Sequence, residues 1–446
     1  MVAGFLIVAV VLGGGGSPAP LPELILELLA VLFVFVCLLI PLKGLEWNRI
    51  SKATWTIVAL TVVVPLLQLI PLPPLIWRAL PSRELEVQAL TLIGEENSWR
   101  TWSMAPSRTL ASLLSLAPPL LVLLVTSALR RSGLMLLMRS MVAVLGGILI
   151  IGALQVTAGE ASLIHFYGST EQWLVGFQAN HNSAADVVMI TMLAVPVILR
   201  DLIERRNLQA SPVILIISLC FFSAMLILVV VLTASRMGVA LLPIPIFATI
   251  WILGPWIFTS ARSTLYGFLG IGLIGIVGLS LAKQNPTIQG ILVRFDFSEE
   301  LRPQLWRDAV YVAQKYFPFG VGMGDFVPAF VADEPLDVIR PSLPNRAHND
   351  YLELTSEAGL PGLLALFAIS LILGRVLWKK LRGCLGRPAA LTIFAGAGLS
   401  VLALHSLVDY PFRSMSLACL GAVCAGLLLS SSNDIGLAQK RTSQTQ

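Results

Sequence analysis

The stretch "NRAHNDYLELTSEAGLPG", residues 345–362, stands where a long polar segment meets a run of hydrocarbon. It packs His348, Asn349, Asp350, Tyr351, Glu353 and Glu357 into ten residues of a chain that is only 12% charged. Directly after it, "LLALFAISLILG" (363–374) carries no charge at all. A run of this kind reads as a helix crossing a bilayer, because a lipid interior demands a backbone that satisfies its own hydrogen bonds. The ionisable cluster therefore marks a water–lipid boundary.

The rest of the chain repeats the pattern. Its 446 residues are 56% hydrophobic, with a mean hydropathy of +0.84, whereas soluble domains are nearer half apolar and about twice as charged. About twelve spans are predicted, at 2–13, 24–42, 54–71, 109–129, 134–154, 183–200, 212–232, 237–254, 264–282, 357–378, 390–407 and 413–430. Proline, glycine or charge marks the joints, as at Pro71-Leu72-Pro73-Pro74. No period of two supports a barrel. The fold class is an all-α polytopic membrane protein. Its expected division is 1–175 for N-terminal transmembrane helices, 176–430 for a catalytic membrane region with a loop at 283–356, and 431–446 for a cytoplasmic tail. The opening "MVAGFLIVAVVL" lacks a basic leader and a small-residue cleavage site, so it reads as a retained helix.

Lysine and arginine set the orientation. With the N-terminus inside, the short inner loops hold Lys43, Arg49, Lys52, Arg130, Arg131, Arg200, Arg205, Arg206, Arg262 and the cluster from Arg375 to Arg387. The short outer loops carry almost nothing basic except Arg236, and the two long loops, 72–108 and 283–356, fall outside. The net charge of +5 is thus topological and implies no nucleic acid. The five cysteines form no CxxC pair. No HExxH, DxD or Walker A pattern is present, so neither a metal nor a nucleotide cofactor is expected.

Residues 345–356 thus end the longest outer loop. Within it, "LRPQLWRDAVYVAQKYF" (301–317) has helical periodicity and "PFGVGMGDF" (318–326) is rich in turns, so the loop reads as a small folded cap. Four further polar clusters share this face: "GFQANHNSAAD" (176–186), "TASRMG" (233–238), "LRPQLWRDA" (301–309) and "HSLVDYPFR" (405–413).

Each carries a plain and a functional reading. Arg236, in a turn between two spans, either snorkels to headgroups or binds an anion such as a lipid-linked diphosphate, whose oxygens its fork fits. His348 is either a hydrogen-bonded structural residue or a general base, with Asn349 as its orienter. Asn180 and Asn182 either cap a helix start or touch substrate. Glu353 and Glu357 read as a solvated helix start, and Asp409 with Arg413 as a surface i, i+4 ion pair.

The combination of "TASRMG", "LRPQLWRDAVYVAQKYFPFGVGMGDF", "RAHNDYLELTSEAGLPG" and "HSLVDYPF" resembles the O-antigen ligase family and its relatives, the O-antigen polymerases, over about residues 176–415. The resemblance implies a glycosyltransferase-C-like helical architecture in the bacterial inner membrane with a periplasmic active site. It implies transfer of a glycan from undecaprenyl diphosphate to a sugar hydroxyl of lipid A–core, with no nucleotide sugar and no metal. It places the base at His348 and diphosphate contacts at Arg236 and Arg302. Members often carry an arginine just before the Gly-Phe…Asn segment; "EQWLVGFQANHN" (171–182) has none, which leaves Arg340 or Arg346 to replace it. Asn180, Asn182, Arg346 and Asn349 complete the expected substrate-binding set. A polymerase that takes a second lipid-linked glycan as acceptor is the nearest alternative. A transporter is the more distant one, since transporters favour ionisable groups near the midplane and two related halves.

Overall fold

The computed structural model describes residues 1–15, 20–40, 45–158, 164–168, 173–206, 211–257, 269–270, 302–334, 344–383 and 389–431. The described chain is overwhelmingly helical. Six segments are long and apolar enough to cross a membrane: Leu21–Leu39, Pro106–Ala128, Arg131–Ala158, Pro212–Leu232, Arg236–Ile257 and Asp350–Gly383. Shorter apolar helices run over Val2–Leu12, Lys52–Gln68, Ala390–His405 and Met415–Leu429. The expected architecture of an all-α membrane protein is present, but not as twelve uniform spans. The segment expected at 183–200 is two helices, His181–Met192 and Ala194–Arg206. Pro196 explains the joint, because it has no N–H to give the carbonyl four residues back. The expected span 264–282 lies almost wholly outside the described residues, as do Arg340, Cys384 and the tail from 432.

The Met415–Leu429 helix sits at the centre, packed against Ala117–Ala128, Ala390–His405 and Val2–Leu12. Small residues permit the close approach. A Cβ at Gly426 would lie 2.7 Å from Thr126 Cβ, and one at Gly398 would lie 2.7 Å from Cys424 Sγ. Without water to drive association in lipid, such backbone proximity is what dispersion between helices needs.

The two long loops meet each other. The 72–108 loop holds a two-stranded antiparallel ladder, Pro71–Leu72 with Arg100–Thr101, a small departure from an all-helical chain. Its Met104 N–H donates to Val321 O at 2.9 Å, and Thr109 Oγ1 donates to Met323 O at 2.9 Å. The cap has its own helices, Arg302–Lys315 and Phe326–Asp333, over a core that includes Val312, Tyr316, Phe326 and Phe330. The loops expected on the opposite side also touch: Arg130 pairs with Glu46, and Arg131 Nη2 lies 3.0 Å from Asp201 Oδ1.

The helix Asp350–Gly383 is one element broken at Gly359, whose φ of 55° and ψ of −146° are not helical. A Cβ there would lie 2.1 Å from Pro318 O, so only glycine fits. The break frees backbone carbonyls, and the cap satisfies them. Val321 N–H donates to Ser356 O at 3.0 Å, and Gly322 N–H to Glu357 O at 2.9 Å. Gln68, fully buried, clamps the joint by donating to Glu357 O and accepting from Met323 N–H, each at 2.9 Å. Glu353 and Glu357, expected as a solvated start, are instead inside this helix with no exposure.

Candidate functional site

His348 lies in the turn that feeds the long helix, with φ +49°. That left-handed geometry is uncommon outside glycine and persists only where surroundings impose it. Here Trp306 of the cap imposes it, its indole N–H lying 3.1 Å from Ala347 O and 3.2 Å from His348 O. Asn349 then starts the helix. Its Oδ1 accepts from Leu352 N–H at 3.0 Å and its Nδ2 donates to Leu407 O at 2.9 Å. Both ends of the Asn349 side chain are therefore occupied in holding the turn against the end of the Ala390–His405 helix.

The turn carries the His348 imidazole to Asp409, Nδ1 to Oδ1 at 3.2 Å. Its ring also meets Tyr410 edge-on, with centroids 4.8 Å apart. The Asp409 carboxylate is crowded with donors. Oδ1 also accepts from Tyr410 N–H at 2.9 Å, Oδ2 accepts from Asn182 Nδ2, and Arg302 Nη2 stands 3.9 Å from Oδ2. Burial pushes this carboxyl up, but the hydrogen bond from His348 and the positive charges of His348, His405 and Arg302 outweigh it and bring it down to about 2. Asp409 is therefore a carboxylate at any physiological pH. An anionic partner on Nδ1 favours the tautomer with its proton there, which leaves the Nε2 lone pair available.

The predicted asparagines support this carboxylate. Asn180 caps the His181–Met192 helix through Asn182 N–H at 2.8 Å, and its Nδ2 lies 3.3 Å from Tyr410 Oη. Asn345 Nδ2 reaches the same phenol at 3.3 Å. Asn182 is buried, taking a hydrogen bond from Ser235 Oγ at 2.7 Å on one side and holding Asp409 on the other. Ser235 in turn caps the helix that begins at Arg236, accepting from Gly238 N–H at 3.0 Å. One continuous set of bonds thus runs from the Ser235–Arg236 turn through Asn182 and Asp409 to His348.

Arg346 lies beside this set, its Nη1 3.0 Å from Glu353 Oε1. Glu353 Oε2 also accepts from Ala347 N–H at 2.9 Å, fixing the residue before His348. The ion pair expected between Asp409 and Arg413 is not formed. Arg413 turns the other way, to Glu357 Oε2 at 2.7 Å, Glu353 Oε1 at 3.4 Å and Asp350 Oδ1 at 3.8 Å, while Asp409 serves His348. Both residues are largely buried, because the charged face of the long helix points into the protein. Among the described residues no group of three His, Cys, Asp or Glu is arranged to hold a metal ion.

All seven predicted residues are described. The structure joins His348, Arg302, Asn180 and Asn182 directly around Asp409 and Tyr410, with Arg346, Asn349 and Arg236 on adjoining turns. Asp409, Tyr410 and Asn345 were not among the predicted site residues. The signal for the first two was the "DYP" turn at 409–411, on the same predicted face as His348.

Residues 221–367 match the family model described as O-antigen ligase. This region contains Arg236, Arg302, Arg346 and His348, whereas Asp409, Asn180 and Asn182 come from either side of it. No curated individual protein matches the chain.

Proposed function

The chain belongs to the O-antigen ligase family through this region, and from that premise we propose that it transfers a glycan from undecaprenyl diphosphate to a sugar hydroxyl of lipid A–core. The reaction takes place at the periplasmic face of the bacterial inner membrane. The observation that carries this reading is the His348–Asp409 pair, with the His348 side chain 26% exposed and the Asp409 side chain 5%. The reachable member accepts the proton, and the buried member orients it.

His348 Nε2 removes the proton from the acceptor hydroxyl as its oxygen bonds to the anomeric carbon. The bond from that carbon to the diphosphate oxygen breaks, and the electron pair leaves with undecaprenyl diphosphate. One base suffices for this direct displacement, by analogy with inverting glycosidases. The departing diphosphate is met by Arg302 and Arg236, with Arg346 in place of the arginine missing before the Gly-Phe segment. Guanidinium groups can stabilise such a leaving group by charge and bidentate hydrogen bonding.

The purified chain is tested with undecaprenyl-diphosphate-linked glycan and lipid A–core. Formation of one joined product, insensitive to EDTA, is expected. Lengthening of the lipid-linked glycan with no lipid A–core present transfers the same site to a polymerase. No glycan transfer of either kind overturns the enzyme reading.

A further inference from the structure

A second acid–imidazole pair lies one helical turn from the first. His405 Nδ1 meets Asp186 Oδ1 at 2.7 Å, with both side chains 1% exposed. Asp186 follows Asn182 by four residues and His405 precedes Asp409 by four, so each couple shares a helical face or its continuation. The partners cross in opposite directions: Asn182 with Asp409, and Asp186 with His405. These are two rungs between the same two elements. The Asp409 N–H also donates to His405 O at 2.9 Å, which ties the second rung to the first through one turn of backbone.

Resting on the assignment of His348 as the base, we infer that Asp186 and His405 are a positioning pair for the His348–Asp409 couple. The second rung fixes the register that lets Asn182 reach Asp409. It also places an ionisable imidazole beside the Asp409 carboxylate. The groups facing Asp409 are His348 from the turn, Arg302 from the cap, His405 from its own helix end, and Asp186 behind His405.

Stability alone does not account for the pair. His405 Nε2 and Asp186 Oδ2 are buried with no hydrogen-bond partner. Half-satisfied buried charge is a poor way to hold two helices together, and apolar residues of the same volume generally do as well or better. What the pair supplies is orientation and field. When protonated, the imidazole adds its charge to those of His348 and Arg302, which together favour the ionised form of Asp409.

The test uses the purified full-length chain in lipid nanodiscs, with undecaprenyl-diphosphate-linked glycan and lipid A–core as probes. Asp186→Asn keeps shape and an acceptor for His405 while removing the charge. His405→Gln removes the imidazole, and His405→Lys keeps a cation. Asp186→Asn and His405→Gln are expected to lower kcat about 10- to 100-fold, the scale of a misplaced catalytic group, with donor KM changed less than about threefold. The acid limb of the pH–rate profile is expected to move to higher pH in His405→Gln, because the couple loses a neighbouring imidazolium, and to move little in Asp186→Asn, where the carboxylate and the imidazolium it supports are lost together. His405→Lys is expected to return the limb toward its original position. Folded Asp186→Asn and His405→Gln proteins with the parent kcat and the parent acid limb overturn the inference. So does an Asp186→Asn protein that fails to fold, or a His405→Gln protein that loses activity with no movement of the limb, since either marks a purely structural pair. His348→Ala, measured alongside, decides the base assignment separately: transfer retained there defeats that assignment and leaves the effect of the pair to be read by itself.

Discussion

The imidazole of His348 and the carboxylate of Asp409 meet at 3.2 Å although sixty-one residues separate them in the chain. One comes from the turn between the cap and the long helix, the other from the turn between Ala390–His405 and Met415–Leu429. The joint is fastened from the backbone as well, since Asp350 N–H donates to Ser406 O at 3.0 Å and to Asp409 O at 3.2 Å. The couple is therefore built on two helix ends rather than on mobile chain, and rigid support of this kind is what a positioned base requires.

Asp409→Asn should separate orientation from basicity. The amide fits the same space but presents Nδ1 of His348 with either a donor or a weaker acceptor. The favoured tautomer is then lost, and transfer is expected to fall about 10²–10⁴-fold at unchanged expression. The initial rate of glycan transfer by the purified variant is the measurement. A loss under about threefold removes Asp409 from the site.

Asp325 predicts a pH dependence of stability. It is buried beneath the 72–108 loop, with Oδ2 accepting from Ser103 Oγ and from Ala105 N–H at 3.0 Å each, and Oδ1 without a partner. Burial pushes its carboxyl up to about 7 despite those donors. Between the unfolded value of about 4 and the folded value near 7, the native state binds more protons than the unfolded one, so stability falls as pH rises through this window. Thermal unfolding midpoints should drop from pH 5 to pH 8, and Asp325→Asn, which keeps both hydrogen-bonded contacts, should flatten that drop. An equal slope in the variant assigns the effect elsewhere.

Arg413 holds three carboxylates, those of Asp350, Glu353 and Glu357, at the head of the long helix. Arg413→Met leaves the buried acids without their common cation. Removing one partner from a buried ion cluster typically costs about 3–5 kcal/mol. The unfolding midpoint is expected to fall by many degrees, and Gly324 and Phe326, whose N–H groups contact Glu357 Oε1, should lose protection from hydrogen exchange. An unaltered midpoint shows that the cluster is solvated in solution.

The membrane frame was legible because a bilayer leaves a coarse signature: long apolar runs between charged joints. The cap helix Arg302–Lys315 was legible from its periodicity, and the polar clusters around His348 and Arg236 from their placement at predicted span ends. Pairing was not legible. Spacing of four residues put Glu353 with Glu357, and Asp409 with Arg413, on shared faces, but spacing does not say whether a face meets water or protein. The answer depends on Gly359, whose break lets the cap dock over the helix and bury its acids. Likewise, Asn182 and Asp409 each looked like a local capping or surface residue. Only the antiparallel meeting of their two elements makes them neighbours.

Arg236→Lys examines the diphosphate contact. Lysine keeps the charge but replaces a planar fork with a point donor. Transfer is expected to drop at least about tenfold, chiefly through weaker handling of the donor. Full activity with lysine reduces Arg236 to a charge at the membrane surface.

His348→Ala bears most directly on the proposed reaction. The variant should insert, purify and unfold at nearly the parental midpoint, since the side chain is partly exposed and the turn is held by Trp306 and Asn349 through backbone groups and the Asn349 side chain. Measured with undecaprenyl-diphosphate-linked glycan and lipid A–core, its transfer rate is predicted to fall at least about 10²-fold. A purified, folded His348→Ala protein that transfers glycan at the parental rate contradicts the account.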